Sequence, residues 1–261
     1  MEDGKKDTIK VLEKMLLIME TIIKNPQPLG VNEISKITGV HPSTVYRILR
    51  SLKKNGWVYQ DKNEKYQNGN KIYSMSTGTN YSVLKEVAYY VMRKCSASEM
   101  QAMNLVVREY NKCFILQQTR TFKLMDYVPP IGTELPVYAS ACGKVLLSEL
   151  PESILQEILQ LIEFKNYTKY TINNKADLIR DLVKIKESGY ALDLHESLEQ
   201  AACIAVPVRN EDGITIAALS FSGFVGGFEE KDIDYYFRIL KEASKAISQK
   251  LALYQQELSQ K

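Results

Sequence analysis

The fold of this chain is decided by residues 32–67, which read NEISKITGVHPSTVYRILRSLKKNGWVYQDKNEKYQ. The pattern predicts a short helix capped by Asn32 and ended by Gly39, then a second helix over residues 42–54. Two short strand-like runs follow, separated by a polar turn, which is the pattern of a small hairpin. With an amphipathic helix predicted over residues 8–24, this order indicates a winged helix-turn-helix.

The helix predicted over residues 8–24 carries its apolar residues near the 3.6-residue helical period. A proline-rich turn at residues 25–30 separates it from the short helix that follows. The apolar stripe consists of Ile9, Leu12, Leu16, Met19 and Ile23.

The helix predicted over residues 42–54 has one apolar face and one polar, cationic face, and it contains no acidic residue. Its first polar side chains are expected at base edges, and Arg47 is expected to pair with a guanine through its planar guanidinium. The later cations and the wing lysines are expected to neutralise phosphates, which adds affinity without sequence information. The alternative is a solvated basic face on an ordinary three-helix unit. The predicted DNA contacts are Ser43, Thr44, Tyr46, Arg47, Arg50, Lys53 and Lys54 of the helix, and Lys62 and Lys65 of the wing.

The charge distribution favours the DNA-binding alternative. The whole chain carries a net charge of only +3, but residues 1–75 hold thirteen basic and eight acidic side chains. The remaining residues hold 21 basic and 23 acidic side chains. A basic head on a slightly acidic body is typical of a DNA-binding domain joined to another module.

The pattern beyond the wing predicts a linker and a second domain. Residues 68–80 are rich in Gly, Asn, Ser and Thr, and a helix is predicted over residues 82–94. From about residue 100 helix-like and strand-like runs are mixed, and the turn of residues 210–213 joins two strands as a hairpin. The last helix, over residues 229–254, is expected to cover its own sheet. We predict an α+β protein with a DNA-binding domain at 1–75, a linker helix at 76–95 and an effector-binding and oligomerisation domain at 96–261.

These segments resemble the IclR family of bacterial transcriptional regulators over nearly the whole chain. The head resembles the family in EISKITG and STVYRILRSL, and in Tyr66-Gln67-Asn68-Gly69 after the wing, where Asn68 replaces the family's Leu. The second domain resembles it in ASACGKVLL at 139–147, GYALD at 189–193, CIAVPV at 203–208 and ALSFSG at 218–223. The resemblance implies an antiparallel sheet flanked by helices, similar to GAF-type sensor folds. It also implies homodimers, often paired into tetramers, and a small organic effector.

The same resemblance implies an effector pocket. Backbone amides before the Gly-Lys pair would form an anion site at a helix N-terminus, and the hydroxyls of Ser220 and Ser222 would lie on one face of a strand. The alternatives are ordinary packing of the cysteines and serines, and a helix cap or surface acid at Asp193. Tyr138 and Phe221 nearby are expected to serve packing. The residues that the resemblance assigns to the effector are Ala141, Cys142, Asp193, Cys203, Ser220 and Ser222.

Other functions find little support in the sequence. There is no G-x-S-x-G, P-loop or G-x-G-x-x-G motif, so neither catalysis nor a cofactor is predicted. Asp193, His195, Glu196 and Cys203 are the one cluster with metal-ligand chemistry, but their spacing matches no standard zinc site, and no metal is predicted. Lys144 is expected to be an exposed lysine at a helix N-terminus rather than a catalytic one. No apolar run reaches membrane-spanning length and no secretion signal is recognised, so a cytoplasmic location is expected.

The function predicted from the sequence is therefore a DNA-binding transcriptional regulator, most simply a repressor. A metabolite bound in the second domain would control its affinity for the operator. Two alternatives remain open: a DNA-binding protein whose second domain only forms oligomers, and, more remotely, an enzyme acting on a small polar metabolite. Stabilisation by a ligand would separate the first alternative from a sensor.

Overall fold

The computed structural model describes residues 9–25, 27–61, 63–69, 71–72, 81–99, 101–120, 129–224 and 230–259. The chain divides into two compact units: residues 1–76 together with 152–158, and residues 77–151 together with 159–261. The predicted boundary near residue 75 lies outside the described residues.

The first unit has the predicted winged helix-turn-helix order. Three helices enclose a small apolar core that includes Ile18, Ile34 and Leu49, and the hairpin adds Val58 and Tyr66. The strands of the hairpin pair antiparallel. The elements are α1 (Lys10–Lys24), α2 (Val31–Thr38), α3 (Pro42–Lys54), β1 (Val58–Gln60) and β2 (Tyr66–Asn68).

The predicted start of α2 is wrong, and its predicted end is confirmed. Asn32 does not cap the helix, because α2 begins at Val31 and its N-cap is Gly30. The carboxylate of Glu33 instead reaches back to accept a hydrogen bond of 2.6 Å from the Gly30 amide, so an acid three residues into the helix does the capping. Gly39 ends the helix in the left-handed conformation, at φ 69°, as predicted.

The wing is tied to the body of the first unit at its base. Leu29 and Tyr66 exchange two backbone hydrogen bonds, of 2.9 and 2.7 Å. Gly69 packs so closely on the backbone of Trp57 that a Cβ at this position would lie 2.8 Å from the Trp57 carbonyl carbon. The wing therefore leaves α3 at a fixed angle.

The apolar stripe of α1 lies mostly outside the described core of the first unit. Ile18 and Ile22 are buried, but they belong to the neighbouring stripe of the helix. Ile9 is 62% exposed, and Leu12, Leu16 and Ile23 are exposed by about half their surface or more. A row of large exposed apolar side chains on one helix is typical of a protein–protein contact surface.

The second unit contains a six-stranded antiparallel sheet with strand order β5-β4-β3-β8-β7-β6. The predicted hairpin turn joins β7 to β8, and the amide of Ile214 donates to the side chain of Asn210 across it. β5 and β6 were not predicted from the sequence because they are only two and four residues long. The elements are α4 (Tyr81–Glu99), β3 (Ala102–Glu109), β4 (Lys112–Gln118), β5 (Glu134–Leu135), α5 (Ala141–Ser148), α7 (Lys175–Ser188), β6 (Ala191–Leu194), β7 (Ala201–Arg209), β8 (Thr215–Phe224) and α8 (Glu230–Ser259). The helix between α5 and α7, α6 (Glu152–Leu159), is grouped with the first unit except for its last residue.

Strand alternation gives this sheet two different faces. Met103, Ile204 and Phe221 turn to one face and join the apolar core formed with α4 and α8. As predicted, the last helix therefore covers the sheet of its own unit, through Leu240, Ile247 and their neighbours. The predicted linker helix is longer than expected and packs into the same core. No described helix combines the length and apolar content that crossing a bilayer requires.

The other face of the sheet carries α5, which packs against β6, β7, β8 and α7. The side chain of Ser140 caps α5 by accepting a hydrogen bond of 3.2 Å from the Gly143 amide. A Cβ at Gly143 would lie 2.3 Å from the carbonyl oxygen of Val137, so only glycine allows this close approach. The N-terminus of α5 is thus held firmly on the sheet.

Candidate DNA-reading surface and effector cavity

The cationic face of α3 is open to solvent. Val45, Leu49 and the other apolar side chains of the helix turn into the core of the first unit. Arg47 and Arg50 are exposed and have no ion-pair partner among the residues that the structure describes. Tyr46 is 52% exposed. Ser43, Lys53 and Lys54 are also exposed, and Thr44 is half-buried.

The wing and α3 form the two sides of one cleft, with a volume of about 690 Å³. Tyr46, Arg50 and Lys53 line it from α3, and Lys65 lines it from the wing. Such a cleft with free cations on one side suits a curved, negatively charged backbone. Lys62 lies outside the described residues.

Two of the predicted phosphate contacts already have partners within the first unit. The ammonium of Lys53 donates to the Gln60 side chain at 2.8 Å. The ammonium of Lys65 lies 3.6 Å from the carboxylate of Glu33, and this charge, together with the Gly30 hydrogen bond, lowers the Glu33 pKa. Among the described cations of the predicted set, Arg47, Arg50 and Lys54 are exposed and have no such partner.

The second unit brings all six residues of the predicted effector set to one cavity. The cavity lies between the N-terminus of α5 and the polar face of the sheet, and its volume is only about 30 Å³. Ligand pockets usually measure ~300–1,000 Å³, so this space has room for ordered water but not for an organic molecule. The residues lining it include Ala141, Cys142, Asp193, Cys203, Ser220 and Ser222.

Asp193 is almost fully buried, at 1% exposure, which excludes the alternative of a surface acid. Its carboxylate accepts hydrogen bonds from the Glu196 amide at 2.8 Å, from the Ser197 amide at 3.2 Å and from the Ser197 hydroxyl. Burial raises the pKa of Asp193, and these hydrogen bonds oppose the rise. The acid thus fixes the turn of residues 193–197 as well as lining the cavity.

The two cavity thiols are neutral at ordinary pH. Burial raises the pKa of Cys142 to about 12 and raises that of Cys203 well above its usual value. Their chemistry towards a ligand would be that of weak donors rather than of nucleophiles.

A chain of amide side chains on β3 and β4 was missed by the sequence analysis. The side-chain amide of Asn104 donates to the Ser222 hydroxyl at 2.9 Å, and its oxygen accepts from Gln118 at 3.0 Å. Gln118 also donates to the Pro129 carbonyl at 2.5 Å. The available signal was a polar residue inside the apolar run of residues 102–107, because such a residue in a buried strand needs a partner.

The prediction that Lys144 is exposed was wrong. The side chain is 3% exposed, and its ammonium lies 2.5 Å from Glu196 Oε1 and 3.0 Å from Asp181 Oδ2. The prediction depends only on the place of Lys144 near the start of the helix, whereas every residue of α5 is buried in the structure. The tertiary fold supplies two acids that the local sequence does not show.

The residues of the alternative zinc cluster have other partners. Glu196 is paired with Lys144, and Asp193 is bound to its own turn. The His195 Nδ1–H donates to the Glu199 carbonyl at 2.6 Å. Tyr138 and Phe221 pack as expected, the first against Phe164 and the second in the apolar core.

The geometry defines a class: a two-domain DNA-binding regulator, with a winged helix-turn-helix head and an antiparallel-sheet domain. The IclR helix-turn-helix domain model matches residues 11–62, and the model of the bacterial transcriptional regulator IclR C-terminal domain matches residues 79–249. The chain belongs to the IclR family of transcriptional regulators.

Three similar proteins support this assignment. The HTH-type transcriptional regulator KdgR of Dickeya chrysanthemi is 29% identical over 97% of this chain and 83% of its own length. The HTH-type transcriptional repressor AllR of Escherichia coli is 27% identical over 94% of this chain and 91% of its own. The crystal structure of the Thermotoga maritima IclR superposes with a TM-score of 0.63 at 28% identity, covering 94% of this chain and all of that one.

Proposed function

We propose that this protein is a cytoplasmic repressor whose affinity for its operator is controlled by a small organic effector bound in the second unit. The observation that carries the proposal is the convergence of six residues, from α5, β6, β7 and β8, on one buried polar cavity. A few polar groups that converge on one concave space are typical of small-molecule sites. Repression is supported by the similarity to AllR, which is named a repressor.

The cavity chemistry favours an effector with a carboxylate at one end and hydroxyl or carbonyl oxygens at the other. The first-turn amides of a helix have no partner within the helix, so those of Ala141 and Cys142 offer donors to an anion. Ser220 and Ser222 lie across from them on the sheet. The carboxylate of Asp193, already bound to three donors, would bound the site rather than receive the anion.

A homodimer is part of the proposal. The exposed apolar row of α1 supplies a contact surface within the DNA-binding unit, and a second copy is the partner that would place two reading heads on one DNA. Two heads read half-sites one helical repeat apart, about 34–36 Å, or a multiple of it. An effector that favours one spacing of the heads would change operator affinity by shifting populations.

The experiment is a fluorescence-anisotropy titration of the DNA upstream of this protein's own gene, at two salt concentrations. We expect tight binding that weakens steeply as salt rises, because phosphate contacts release counterions. If neither this DNA nor genomic fragments selected with metabolite extract bind the folded protein, the proposal is wrong.

A second candidate function is supported by the small volume of the cavity. A second unit that only forms oligomers would need no ligand space, and about 30 Å³ is what the described residues enclose. Thermal unfolding with fractions of a metabolite extract separates the two, since a ligand that binds only the folded state raises its stability. No stabilising fraction at all would favour the oligomerisation domain. Enzymatic activity is not part of either proposal.

A further inference from the structure

The effector cavity must enlarge before it can hold any organic molecule, and its walls differ in how firmly they are held. β3, β7 and β8 are paired on both sides within the sheet. The N-terminus of α5 is fixed by the contact of Gly143 with the backbone of Val137. Two walls remain. One is the segment that carries Pro129 and Leu135, which is held by the Gln118 hydrogen bond to Pro129 and by the pairing of β5 with β4. The other is the turn of residues 193–197, which follows β6 at the opposite edge of the described sheet, carries Asp193 and Ser197 into the cavity, and is joined to α5 by an ion pair.

This turn is attached to its surroundings by several hydrogen bonds and an ion pair. The His195 amide donates to the Ala201 carbonyl at 3.2 Å, and its ring Nδ1–H donates to the Glu199 carbonyl at 2.6 Å. The Thr168 hydroxyl donates to the His195 carbonyl at 2.6 Å, and the Thr171 hydroxyl donates to the Glu196 carbonyl at 2.7 Å. His195 holds a positive φ of 68°, which is unusual for a residue with a side chain. The ionic attachment is that of Glu196 to Lys144 on α5, at 2.5 Å.

In the Lys144–Glu196 ion pair, the surroundings do not fully satisfy the charge and the hydrogen-bonding capacity of Glu196. Lys144 is shared between two acids, Glu196 on the turn and Asp181 on α7. Glu196 is only 12% exposed, and its second oxygen, Oε2, is buried without a hydrogen bond among the described residues. Burial raises the Glu196 pKa to about 7, which shows how weakly this site compensates the charge. If Glu196 leaves, Lys144 keeps Asp181 as a partner, so opening does not leave a lone buried cation.

We propose that Lys144, Glu196 and Asp181 form a latch on the effector cavity: the Lys144–Glu196 pair holds the turn of residues 193–197 closed, and admission of an effector requires its release. Lys144 and Glu196 are positioning residues, because they act through the turn and do not line the cavity. The latch rests on the proposed function, since it explains how an effector would enter that same site. Lys144 lies one turn beyond the amides of Ala141 and Cys142, so one helix carries both the anion site and the latch.

The cavity thiols report opening without any ligand. Cys142 and Cys203 line the cavity, whereas Cys113 is fully buried and does not line it. We would measure N-ethylmaleimide labelling rates of each cysteine by peptide mass spectrometry. The variants are Glu196→Ala, which removes the attachment, and Glu196→Gln, which keeps its shape and weakens it. The matched control is Glu149→Ala, which breaks another partly buried ion pair at the far end of α5, with Arg209 at 2.8 Å.

We expect Glu196→Ala to raise the labelling rate of Cys142, which is buried, at least tenfold, and that of Cys203, which is already partly exposed, by a smaller factor. Glu196→Gln should raise both rates less, and Glu149→Ala should leave them unchanged. Cys113 should keep its rate in every variant. An unchanged labelling rate at the cavity thiols would overturn the latch. An equal rise at Cys113 would also overturn it, because the Lys144–Glu196 pair would then serve only global stability. If Glu196→Ala does not fold, Glu196→Gln decides.

The labelling uses neither DNA nor effector, so its failure is distinct from failure of the proposed function. Faster labelling at the two cavity thiols, together with no effect of any metabolite on operator binding, would support the latch as a gate and contradict effector control.

Discussion

The DNA-reading face of α3 and the cavity beneath α5 are built in opposite ways. On α3 the decisive side chains point to solvent, and Arg47 and Arg50 have no ion-pair partner among the described residues. Around the cavity the decisive side chains are buried and bonded to one another, as Asp193 is to Ser197 and Ser222 is to Asn104. The first site is ready for its partner, while the second must break contacts to receive one.

This difference predicts where substitutions act. Substitutions of the exposed cations of α3 should alter DNA affinity and leave stability unchanged, because these side chains contribute little to the packing of the first unit. Changes around the cavity should alter stability first, because the polar groups there are part of the packing.

The largest effect is expected from Arg47→Ala/Arg50→Ala. Each arginine contact is worth ~1–3 kcal/mol, so operator affinity should fall about thirtyfold or more, with a shallower salt dependence. Anisotropy titration at two salt concentrations measures both. Lys24→Ala, which removes an exposed lysine from α1 of the same unit, is the control and should bind nearly as well as wild type. Equal affinity of the double variant and wild type would remove α3 from the DNA interface.

Gly143→Ala should be the most damaging single change around the cavity. The new Cβ would clash with the Val137 carbonyl oxygen at 2.3 Å, and relieving such overpacking costs about 2 kcal/mol of unfolding free energy. Urea unfolding measures this value. Gly213→Ala is the matched control, because that glycine has φ 77° and open space, so only backbone strain of about 1 kcal/mol is expected. A cost at Gly143 no larger than at Gly213 would show that α5 can shift.

A smaller effect is expected from pH. The pKa of Glu196 is raised by burial from 4.5 to about 7, so the folded state holds a proton that the unfolded state has lost between these values. Stability must then fall as pH rises through this window. Between pH 6 and 8, wild type should lose about 1 kcal/mol of unfolding free energy relative to Glu196→Gln. Lys144, Asp181 and Asp193 face the group in both proteins, so the difference between the two profiles isolates Glu196. Parallel pH profiles would contradict the raised pKa.

The smallest effect is expected at Lys65. Its ammonium is already near Glu33, so Lys65→Ala should weaken DNA binding by only a few fold, clearly less than Arg50→Ala. Glu33→Gln removes the negative charge near Lys65. The glutamine retains a side-chain oxygen that can accept the hydrogen bond from the Gly30 amide. We expect it to strengthen binding at low salt. A larger loss at Lys65 than at Arg50 would show that the wing, not α3, dominates phosphate contact.

The sequence was sufficient for most of the elements, though not for β5 and β6, and for the six residues that meet at the cavity. It was insufficient for how the cavity is closed. α3 could be predicted because its charge and apolar period are local. The alternation that turns Ser220 and Ser222 to one face is local too. The burial of Lys144 could not be predicted, because Asp181 and Glu196 reach it from distant segments. The stripe of α1 was visible, but sequence periodicity does not tell an apolar stripe that packs into a core from one that stays exposed.

Control of DNA binding by an effector in the cavity can be tested directly by one measurement. Fractions of a metabolite extract that raise the melting temperature of the wild type would be added to the operator complex, with Ser220→Ala/Ser222→Ala measured beside it. We expect such a fraction to change wild-type operator affinity at least about fivefold, as an allosteric coupling would. The double variant should bind DNA equally well and not respond. Fractions that stabilise the wild type and leave its operator affinity unchanged would contradict the account.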